Sequence, residues 1–229
     1  LFRSLFQENT MRYNFSRKID LTTNLNFQNT QFNNNSFSKN LFVINPSIYL
    51  NIKKTGFGNF SLSFSENNSL PEINQLTTNY QLTDYRSFLQ GTTLQKPLKN
   101  QTTGLNYSYY NDEKRFSINT NIFYNNSKSI LNTSSNLTSD FNFNSYIQTK
   151  GSESYNFNFS LVNYSRKLKL ASKIETLNNW ITSPLNVNST EFSNAKSFSN
   201  SIKYSATTYF KSKINFDFGF SYNYFQSNF

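Results

Sequence analysis

Ile-Asn-Phe-Asp-Phe-Gly-Phe-Ser-Tyr-Asn-Tyr, the run from residue 214 to residue 224, places a bulky apolar side chain at every second position. The residues between these side chains are Asn, Asp, Gly and Ser. Because successive side chains of a β-strand point to opposite faces, the run predicts a strand with one apolar face and one polar face.

The same alternation recurs along most of the chain. Four further sets carry it: Phe60, Leu62 and Phe64; Leu105, Tyr107 and Tyr109; Phe116, Ile118, Ile122 and Tyr124; and Tyr155, Phe157, Phe159 and Leu161. Long strands with aromatic residues on one face and Asn, Ser and Thr on the other are what a membrane-spanning β-barrel requires. We therefore predict an all-β fold, an antiparallel transmembrane β-barrel that crosses the cell outer membrane many times.

The composition agrees with a wall that is only one strand thick. Hydrophobic residues make up 36% of the 229 residues and aromatic residues alone make up 18%, so half of the apolar side chains are rings. Few Leu, Val, Ala and Met side chains remain to fill an enclosed core. No run of the sequence approaches the ~18 consecutive apolar residues of a transmembrane helix, so any crossing is expected to use strands.

The chemistry of the chain is restricted because it contains neither Cys nor His. Thiolate and imidazole metal sites, Cys or His nucleophiles and the Ser-His-Asp triad are excluded. Ser-x-x-Lys occurs at Ser36/Lys39 and Ser193/Lys196, but Ser and Lys are frequent enough for chance matches. Glu66, Glu72 and Asp84 match no calcium loop. We expect no catalysis, no cofactor and no metal.

The net charge is +10, and many basic residues lie in short connections between predicted strands. They are Arg17-Lys18, Lys53-Lys54, Lys114-Arg115, Arg166-Lys167, Lys211 and Lys213. In a barrel these residues form a ring near lipid headgroups, but they are equally explained as ordinary polar turn residues. Nucleic acid is a poorer explanation, because the aromatic residues share a face with one another rather than with the charges.

Short and long connections alternate along the chain, as in bacterial outer-membrane barrels. Tight connections are predicted near 17–20, 53–58, 111–115, 165–167 and 209–212, and long polar ones near 29–40, 66–101, 125–138 and 178–196.

About ten strands are predicted, at 10–16, 21–32, 41–52, 59–66, 101–110, 116–131, 139–164, 167–178, 197–208 and 213–225. The longest keeps its apolar residues at odd positions, which favours one strand with a bulge near Gly151 over a hairpin there. A bulge or open pairing is expected at Pro46.

The longest loop carries a recognisable pattern. It reads Leu70-Pro71-Glu72-Ile73-Asn74-Gln75-Leu76, then Leu82-Thr83-Asp84-Tyr85-Arg86-Ser87-Phe88, then Gly91, Leu94 and Pro97 before a strand. This pattern resembles the barrel part of TonB-dependent outer-membrane receptors, and the Asn- and Phe-rich style resembles barrels from Bacteroidetes-type bacteria. Thr92-Thr93 and Leu98 stand where that family usually has Asn-Pro and Glu.

The resemblance implies a barrel of about twenty-two strands, of which residues 1–229 form one segment. It also implies a plug and contact with a TonB-type energy-coupling protein through an N-terminal part that this chain does not show. Surface lipoproteins or secretion-complex subunits are further expected partners, besides outer-membrane lipid. Because the chain begins Leu1-Phe2-Arg3, we expect it to be an internal piece of a longer protein.

Large rings and an Arg on exposed loops are the expected ligand-binding positions. The candidates are Tyr80, Tyr85, Arg86, Phe88 and Trp180. Alternatively, they pack their loop against its neighbours or belong to an interfacial aromatic belt, and Trp180 fits such a belt equally well.

The expected function is import, or binding at the cell surface, of a ligand that the sequence does not identify. Two alternatives stay open. The first is a barrel that acts as a scaffold in a surface or secretion complex without transport. The second is a secreted β-sandwich adhesin, whose strands would usually be nearer five or six residues long.

Overall fold

The computed structural model describes residues 2–34, 37–54, 56–76, 78–92, 97–185, 193–210 and 214–228. Over these residues the fold is all-β, with one short 3-10 helix at Ile73–Leu76. In chain order the strands are β1 (Phe2–Ser16), β2 (Ile19–Asn34), β3 (Phe37–Lys54), β4 (Gly58–Ser69), β5 (Tyr80–Asp84), β6 (Ser87–Gln90), β7 (Leu98–Asn111), β8 (Phe116–Ser127), β9 (Ser129–Leu137), β10 (Asn142–Lys150), β11 (Glu153–Ser165), β12 (Leu170–Leu185), β13 (Ser193–Thr208) and β14 (Asp217–Asn228). Among the described residues, no helix is long and apolar enough to cross a membrane.

Ten of these strands form one large antiparallel sheet, in the order β1-β2-β3-β4-β7-β8-β11-β12-β13-β14. Each strand pairs with the next one of this series along the chain, so the sheet is a meander with two insertions. The insertions, β5–β6 and β9–β10, form a second sheet in the order β5-β6-β10-β9. Its central pair, β6 with β10, is parallel.

The register of the large sheet brings most of the bulky apolar residues of its ten strands onto one face, the apolar face, whereas others, such as Phe6, Tyr49, Leu177, Ile181 and Phe225, lie on the opposite face. Ile122 lies opposite Leu105 on β7 and Phe157 on β11. Residues paired in this way share a face because both strands follow the same pleat. The bulky members of the apolar face are Leu5, Met11, Tyr13, Leu21, Leu25, Phe27, Ile44, Ile48, Leu50, Ile52, Phe60, Leu62, Phe64, Leu105, Tyr107, Tyr109, Phe116, Ile118, Ile122, Tyr124, Tyr155, Phe157, Phe159, Leu161, Ile174, Trp180, Phe198, Ile202, Tyr204, Phe218, Phe220, Tyr222 and Tyr224.

The opposite face, the polar face, is covered by Asn, Ser and Thr side chains that bond to one another across strands. Thr102 Oγ1 donates to Asn125 Oδ1 at 2.8 Å, and Asn125 Nδ2 donates to Ser154 Oγ at 3.3 Å. Asn106 Nδ2 donates to Ser61 Oγ at 3.3 Å in the same way. Cross-strand bonds of this kind satisfy short polar side chains without a covering layer.

The described residues enclose almost no core. Val43 and Ala206 are the hydrophobic side chains among them that are buried. None of the large rings of the apolar face is buried, and the most open of them lies on the edge strand β14, where the exposed fraction of Phe220 is 64%. A single sheet cannot bury an apolar face by itself, so this face is left open to whatever surrounds the protein.

The tight connections lie together at one end of the large sheet, which we call the tight-turn end. Their described residues are 17–18, 56–57, 112–115, 166–169, 209–210 and 214–216. Arg115 and Lys169 close two of them with φ of 46° and 47°, and Gly56 and Gly58 adopt φ of 87°. Gly58 needs to be Gly for a second reason, since a Cβ there would meet the carbonyl oxygen of Ser108.

The other end, the loop end, carries both insertions and differs from the predicted loops. The predicted loop at 29–40 is wrong in the structure, because β2 runs to Asn34 and β3 starts at Phe37 with the two residues paired. The predicted loop at 125–138 is wrong as well, because its larger part is β9.

The single strand predicted at 139–164 is also wrong. It divides into β10 and β11 at Gly151, and β10 leaves the large sheet to join the second one. A Cβ at Gly151 would collide with the carbonyl of Ser127. The hairpin of β9 and β10 can therefore bend away from the large sheet only because this residue is Gly. The backbone N–H of Lys128 donates to the carbonyl of Lys99 at 2.8 Å, which fixes the other side of the bend.

Pro46 shows the open pairing expected of it. Backbone pairing of β3 with β4 ends at Ser47, the residue after the proline. The side chain of Asn45 continues the connection by accepting from the N–H of Asn68 at 2.6 Å. A residue without an N–H donor therefore lies where the ladder to β4 has already stopped, although Pro46 still lies opposite Leu25 of β2.

The large sheet has two edges, β1 and β14, and each pairs on one side only among the described residues. Closure into a barrel is not seen. What the structure supports of the predicted fold is an all-β chain with a ten-stranded antiparallel sheet.

Candidate functional site

The second sheet lies at the loop end because both of its sources leave the large sheet there. The segment from Ser69 to Leu98 supplies β5 and β6, and the extended hairpin beyond Ser127 supplies β9 and β10. The N–H of Asn142 donates to the carbonyl of Arg86 at 2.8 Å, which joins the two insertions next to the parallel pair. Four short strands thus form a small platform beyond the ends of the long strands.

Aromatic side chains gather on one face of this platform. Phe88 stacks on Phe143 with ring centroids 5.2 Å apart and an interplanar angle of 12°. Tyr80 meets Phe143 edge-on at 5.8 Å, and Phe141 lies 5.8 Å from Phe88. We call Tyr80, Phe88, Phe141 and Phe143 the aromatic cluster. The rings stabilise one another by offset and edge contacts while Tyr80 and Phe141 stay exposed.

The β5–β6 turn next to this cluster presents Tyr85 and Arg86. The guanidinium Cζ of Arg86 lies 4.9 Å from the centroid of the Tyr85 ring, a cation–π contact. Asp84 holds the turn, since its Oδ1 accepts from the N–H of Tyr85 at 2.7 Å. Tyr85 has an exposed fraction of 76%. The turn therefore offers a large ring and a positive charge to solvent.

A polar cluster ties the long insertion to the large sheet. Glu66 near the end of β4 lies 2.5 Å from Lys99 near the start of β7, and it accepts from Gln101 at 2.7 Å and from Asn68 at 3.1 Å. The side chain of Glu66 is only 15% exposed. Because these residues hold both ends of the insertion, they fix where the platform begins.

Trp180 lies elsewhere, on the apolar face of the large sheet. Its ring stacks on Phe198 of β13 at 5.0 Å, and in the same row Tyr124 of β8 lies 4.7 Å from Tyr155 of β11. One step nearer the loop end, the register places a polar row on the same face: Asn126, Glu153, Thr182 and Lys196. An aromatic row followed by a polar row is typical of a membrane–water boundary.

The structure thus brings together four of the five residues predicted to bind a ligand. Tyr80, Tyr85, Arg86 and Phe88 share the platform, whereas Trp180 lies in the aromatic row of the large sheet. Phe141 and Phe143 were missed, because the alternation of Phe141, Phe143 and Ile147 fits a continuation of β11 as well as it fits a separate strand. The available sequence signal was Thr138-Ser139-Asp140, short polar residues that favour a turn, and in the structure Thr138 Oγ1 donates to the Phe141 carbonyl there at 2.8 Å.

The other chemical motifs form no reactive arrangement in the part of the chain that the structure describes. Ser193 and Lys196 both lie in β13, and an odd separation in a strand places them on opposite faces. Ser36 of the other Ser-x-x-Lys pair lies outside the described residues. Glu66 is paired with Lys99, and no group of three acidic residues with metal-binding geometry occurs among the described residues.

No known protein-family model matches this sequence, and no curated protein matches it.

Proposed function

We propose that this chain is a segment of an outer-membrane β-barrel similar to TonB-dependent receptors, serving import or surface binding of a ligand. The observation that carries the proposal is the continuous apolar face, which extends over ten adjacent strands without a covering layer. Soluble monomers rarely expose contiguous apolar patches larger than a few hundred Å². Lipid is the surrounding that makes such a face favourable.

The strand lengths support lipid over a second protein sheet. The ten strands of the large sheet have between 12 and 18 residues. A tilted strand needs about 9–11 residues to cross a bilayer, whereas strands of a soluble sandwich usually have about 5–6. Every strand of the sheet is therefore long enough to cross with residues to spare at both ends.

The amide side chains at the centre of the apolar face satisfy one another, as a lipid-facing surface requires. Asn178 and Asn200 lie opposite each other on β12 and β13, in the middle of this face. Asn200 donates to Asn178 Oδ1, and Asn178 donates to Thr176 Oγ1 at 3.1 Å. Burying an amide in an apolar surrounding without such a partner would cost several kcal/mol, about 2–7 by transfer measurements.

The platform is the part of the chain best placed to contact a ligand. It projects beyond the aromatic row of Trp180, on the side where outer-membrane barrels carry their long extracellular loops. Its exposed rings and the Arg86 guanidinium offer stacking and charge to a ligand. The type of ligand follows from none of these contacts.

The two open edges fit a segment of a larger barrel. β1 and β14 each offer an unpaired row of backbone groups, and in a membrane every such group needs a partner. Further strands of the same barrel would supply the partners. A barrel of about twenty-two strands, a plug, a TonB-type coupling protein and surface lipoproteins or secretion subunits are proposed on the resemblance of the 70–97 loop.

Cysteine scanning tests the lipid-facing arrangement directly, because the chain has no Cys of its own. Ile202→Cys on the apolar face is matched by Ser201→Cys, its neighbour on the polar face. Leu62→Cys and Ser63→Cys repeat the comparison on β4. Each variant is made in the full native polypeptide, purified from outer membranes, reconstituted in lipid and spin-labelled.

We expect labels on Ile202→Cys and Leu62→Cys to be more accessible to oxygen, which concentrates in lipid, than to a water-soluble nickel complex. The labels on Ser201→Cys and Ser63→Cys should lack this preference for oxygen. An apolar face closed to both reagents would overturn the proposal and favour packing against another sheet. Recovery of the polypeptide from the soluble fraction would also overturn it.

A further inference from the structure

The tight-turn end carries an excess of basic residues that the loop end does not have. The basic residues described there are Arg17, Lys18, Lys53, Lys114, Arg115, Arg166, Lys167 and Lys169, against the acidic residues Asp20, Asp112, Glu113 and Asp217. Among the described residues of the loop end the two signs balance, with Arg86, Lys99, Lys128, Lys150 and Lys196 against Glu66, Glu72, Asp84, Asp140 and Glu153. The positive charge is therefore concentrated at one end of the strands.

Few of these charges are neutralised within the protein. Of the basic side chains described at the tight-turn end, Lys53 alone lies within 4.0 Å of a carboxylate, at 3.8 Å from Asp20. Arg115 lies over the ring of Tyr164 with its Cζ 4.8 Å from the centroid, and Arg166 Nη2 donates to the carbonyl of Glu113 at 2.7 Å. Lys18, Lys114 and Lys167 are exposed to solvent.

The same turns expose large apolar side chains beside these charges. Leu168 has an exposed fraction of 65% and stands between Lys167 and Lys169. Phe15 precedes Arg17 and Lys18 in the first turn and is 59% exposed. At a bilayer boundary such an apolar group enters the acyl region and the adjacent cation stays among the headgroups.

We propose that the tight-turn end binds the headgroups of anionic phospholipids in the membrane leaflet next to it. The proposal rests on the lipid-facing sheet proposed above and adds the identity of a partner. The apolar face places this end of the strands at the boundary of the bilayer, and the ring of basic residues there is complementary to negative headgroups. The apolar turn residues distinguish a lipid leaflet from a soluble polyanion, because a soluble polyanion offers them no apolar contact.

The test compares two triple variants that remove the same charge from opposite ends. The first is Lys18→Gln, Lys114→Gln and Lys167→Gln, all exposed residues of tight turns. The matched control is Lys128→Gln, Lys150→Gln and Lys196→Gln, all exposed residues of the loop end. Each is made in the full polypeptide and reconstituted in nanodiscs of phosphatidylcholine with a minor fraction of phosphatidylglycerol.

The measurement is the enrichment of phosphatidylglycerol in the lipid that stays bound to the protein, determined by native mass spectrometry. Each basic residue near a charged surface contributes about a fivefold change in binding. The phosphatidylglycerol enrichment should therefore be at least about tenfold lower for the first variant than for the unmodified protein. The control should stay within about twofold of the unmodified protein. The proposal would be overturned if both variants kept the enrichment of the unmodified protein, or if both lost it to the same extent.

The two proposals fail in different ways. If the labels on Ile202→Cys and Leu62→Cys contact lipid but replacing the tight-turn lysines does not lower the phosphatidylglycerol enrichment, the headgroup proposal alone is wrong. If these labels do not contact lipid, the barrel proposal is wrong and the headgroup proposal falls with it. A nanodisc that retains the first variant with an unchanged far-ultraviolet β spectrum shows that loss of enrichment is not loss of folding.

Discussion

Phe88 and Phe143 stack with their ring centroids 5.2 Å apart across the parallel pair of β6 and β10. One ring comes from the insertion after β4 and the other from the extended hairpin between β8 and β11. Neither insertion can form its half of the contact alone. The loop-end platform is therefore a joint product of two segments that are far apart in the chain, and it should be lost when either one is weakened.

Phe143→Ala is expected to loosen the platform without disturbing the large sheet. Phe143 contacts Tyr80 and Phe141 as well as Phe88, and a fully buried Phe→Ala change costs about 3–5 kcal/mol. Because Phe143 is only partly buried, we expect about 2 kcal/mol of local destabilisation. Faster backbone hydrogen exchange at 80–90 and 142–150, with unchanged exchange in β11, β12 and β13, would show it.

Leu82→Ala is the matched control for this change. Leu82 lies opposite Phe88 on the same platform but is 65% exposed, so its removal should change hydrogen exchange little. If both variants accelerate exchange equally, the stacked rings do not hold the two insertions together.

Trp180 should report the boundary between lipid and water, and it is the single Trp of the chain. We expect its fluorescence to be blue-shifted in bilayers and quenched by brominated lipids, most strongly when bromine lies near the headgroups rather than at the bilayer centre. Trp180→Phe provides the blank, and it retains a ring against Phe198. Quenching by aqueous iodide alone would contradict the position of Trp180 in a membrane belt.

The Glu66–Lys99 pair should contribute more to stability than an exposed pair of similar length. Glu66 is 15% exposed and accepts further bonds from Gln101 and Asn68, so its charge is well solvated by the protein. A double-mutant cycle with Glu66→Gln and Lys99→Met should give a coupling energy of about 1–2 kcal/mol in denaturant unfolding.

Lys173 and Glu175 serve as the comparison pair on the polar face. Their charged atoms lie 2.7 Å apart, but their side chains are 42% and 38% exposed. The corresponding cycle, with Lys173→Met and Glu175→Gln, should give less than about 0.5 kcal/mol. Equal coupling energies in the two cycles would show that the cluster around Glu66 adds nothing to the ion pair.

Gly151→Ala should disturb the bend between β10 and β11. The added Cβ would meet the carbonyl of Ser127, which is backbone and cannot rotate aside. Overpacking of this kind costs about 1–3 kcal/mol, and we expect faster exchange of the Ser127 amide, which donates to the Ser152 carbonyl at 2.8 Å.

Gly56→Ala separates this crowding from the general effect of losing a glycine. Nothing lies within 4 Å of a Cβ at Gly56, but its φ of 87° is unfavourable for Ala by about 1 kcal/mol. It should leave the exchange of Ser127 unchanged. Acceleration at Ser127 in both variants would show that the effect is global rather than a collision at the bend.

The sequence predicted well what depends on neighbours along the chain. The two-residue period of Phe218, Phe220 and Tyr222 places these rings on one face in any strand, because the pleat alone decides it. The tight turns near 17–20, 111–115 and 165–167 follow from the same local logic, since polar residues interrupt the period there. Ten strands were expected; the large sheet has ten, but the described residues form fourteen because the second sheet adds four.

What the sequence predicted poorly depends on residues distant in the chain. The period of Phe141, Phe143 and Ile147 continues that of Tyr155 in register, so nothing local indicates that β10 turns away from β11. The bend is set by the approach of Gly151 to Ser127 and by the parallel partner that β6 offers. Polar runs such as 129–137 were expected to be loops, yet the partner β10 makes this run a strand.

By itself, therefore, the sequence determined that this protein is built of long two-faced strands joined by tight connections at one end. The tertiary structure alone decided which residues meet: that Tyr80, Phe88, Phe141 and Phe143 form one cluster, and that Trp180 belongs to a row on the large sheet instead. The physical reason is that side-chain alternation is fixed by the geometry of each residue, whereas strand pairing is a choice among distant partners made by the backbone hydrogen bonds and contacts of the whole fold.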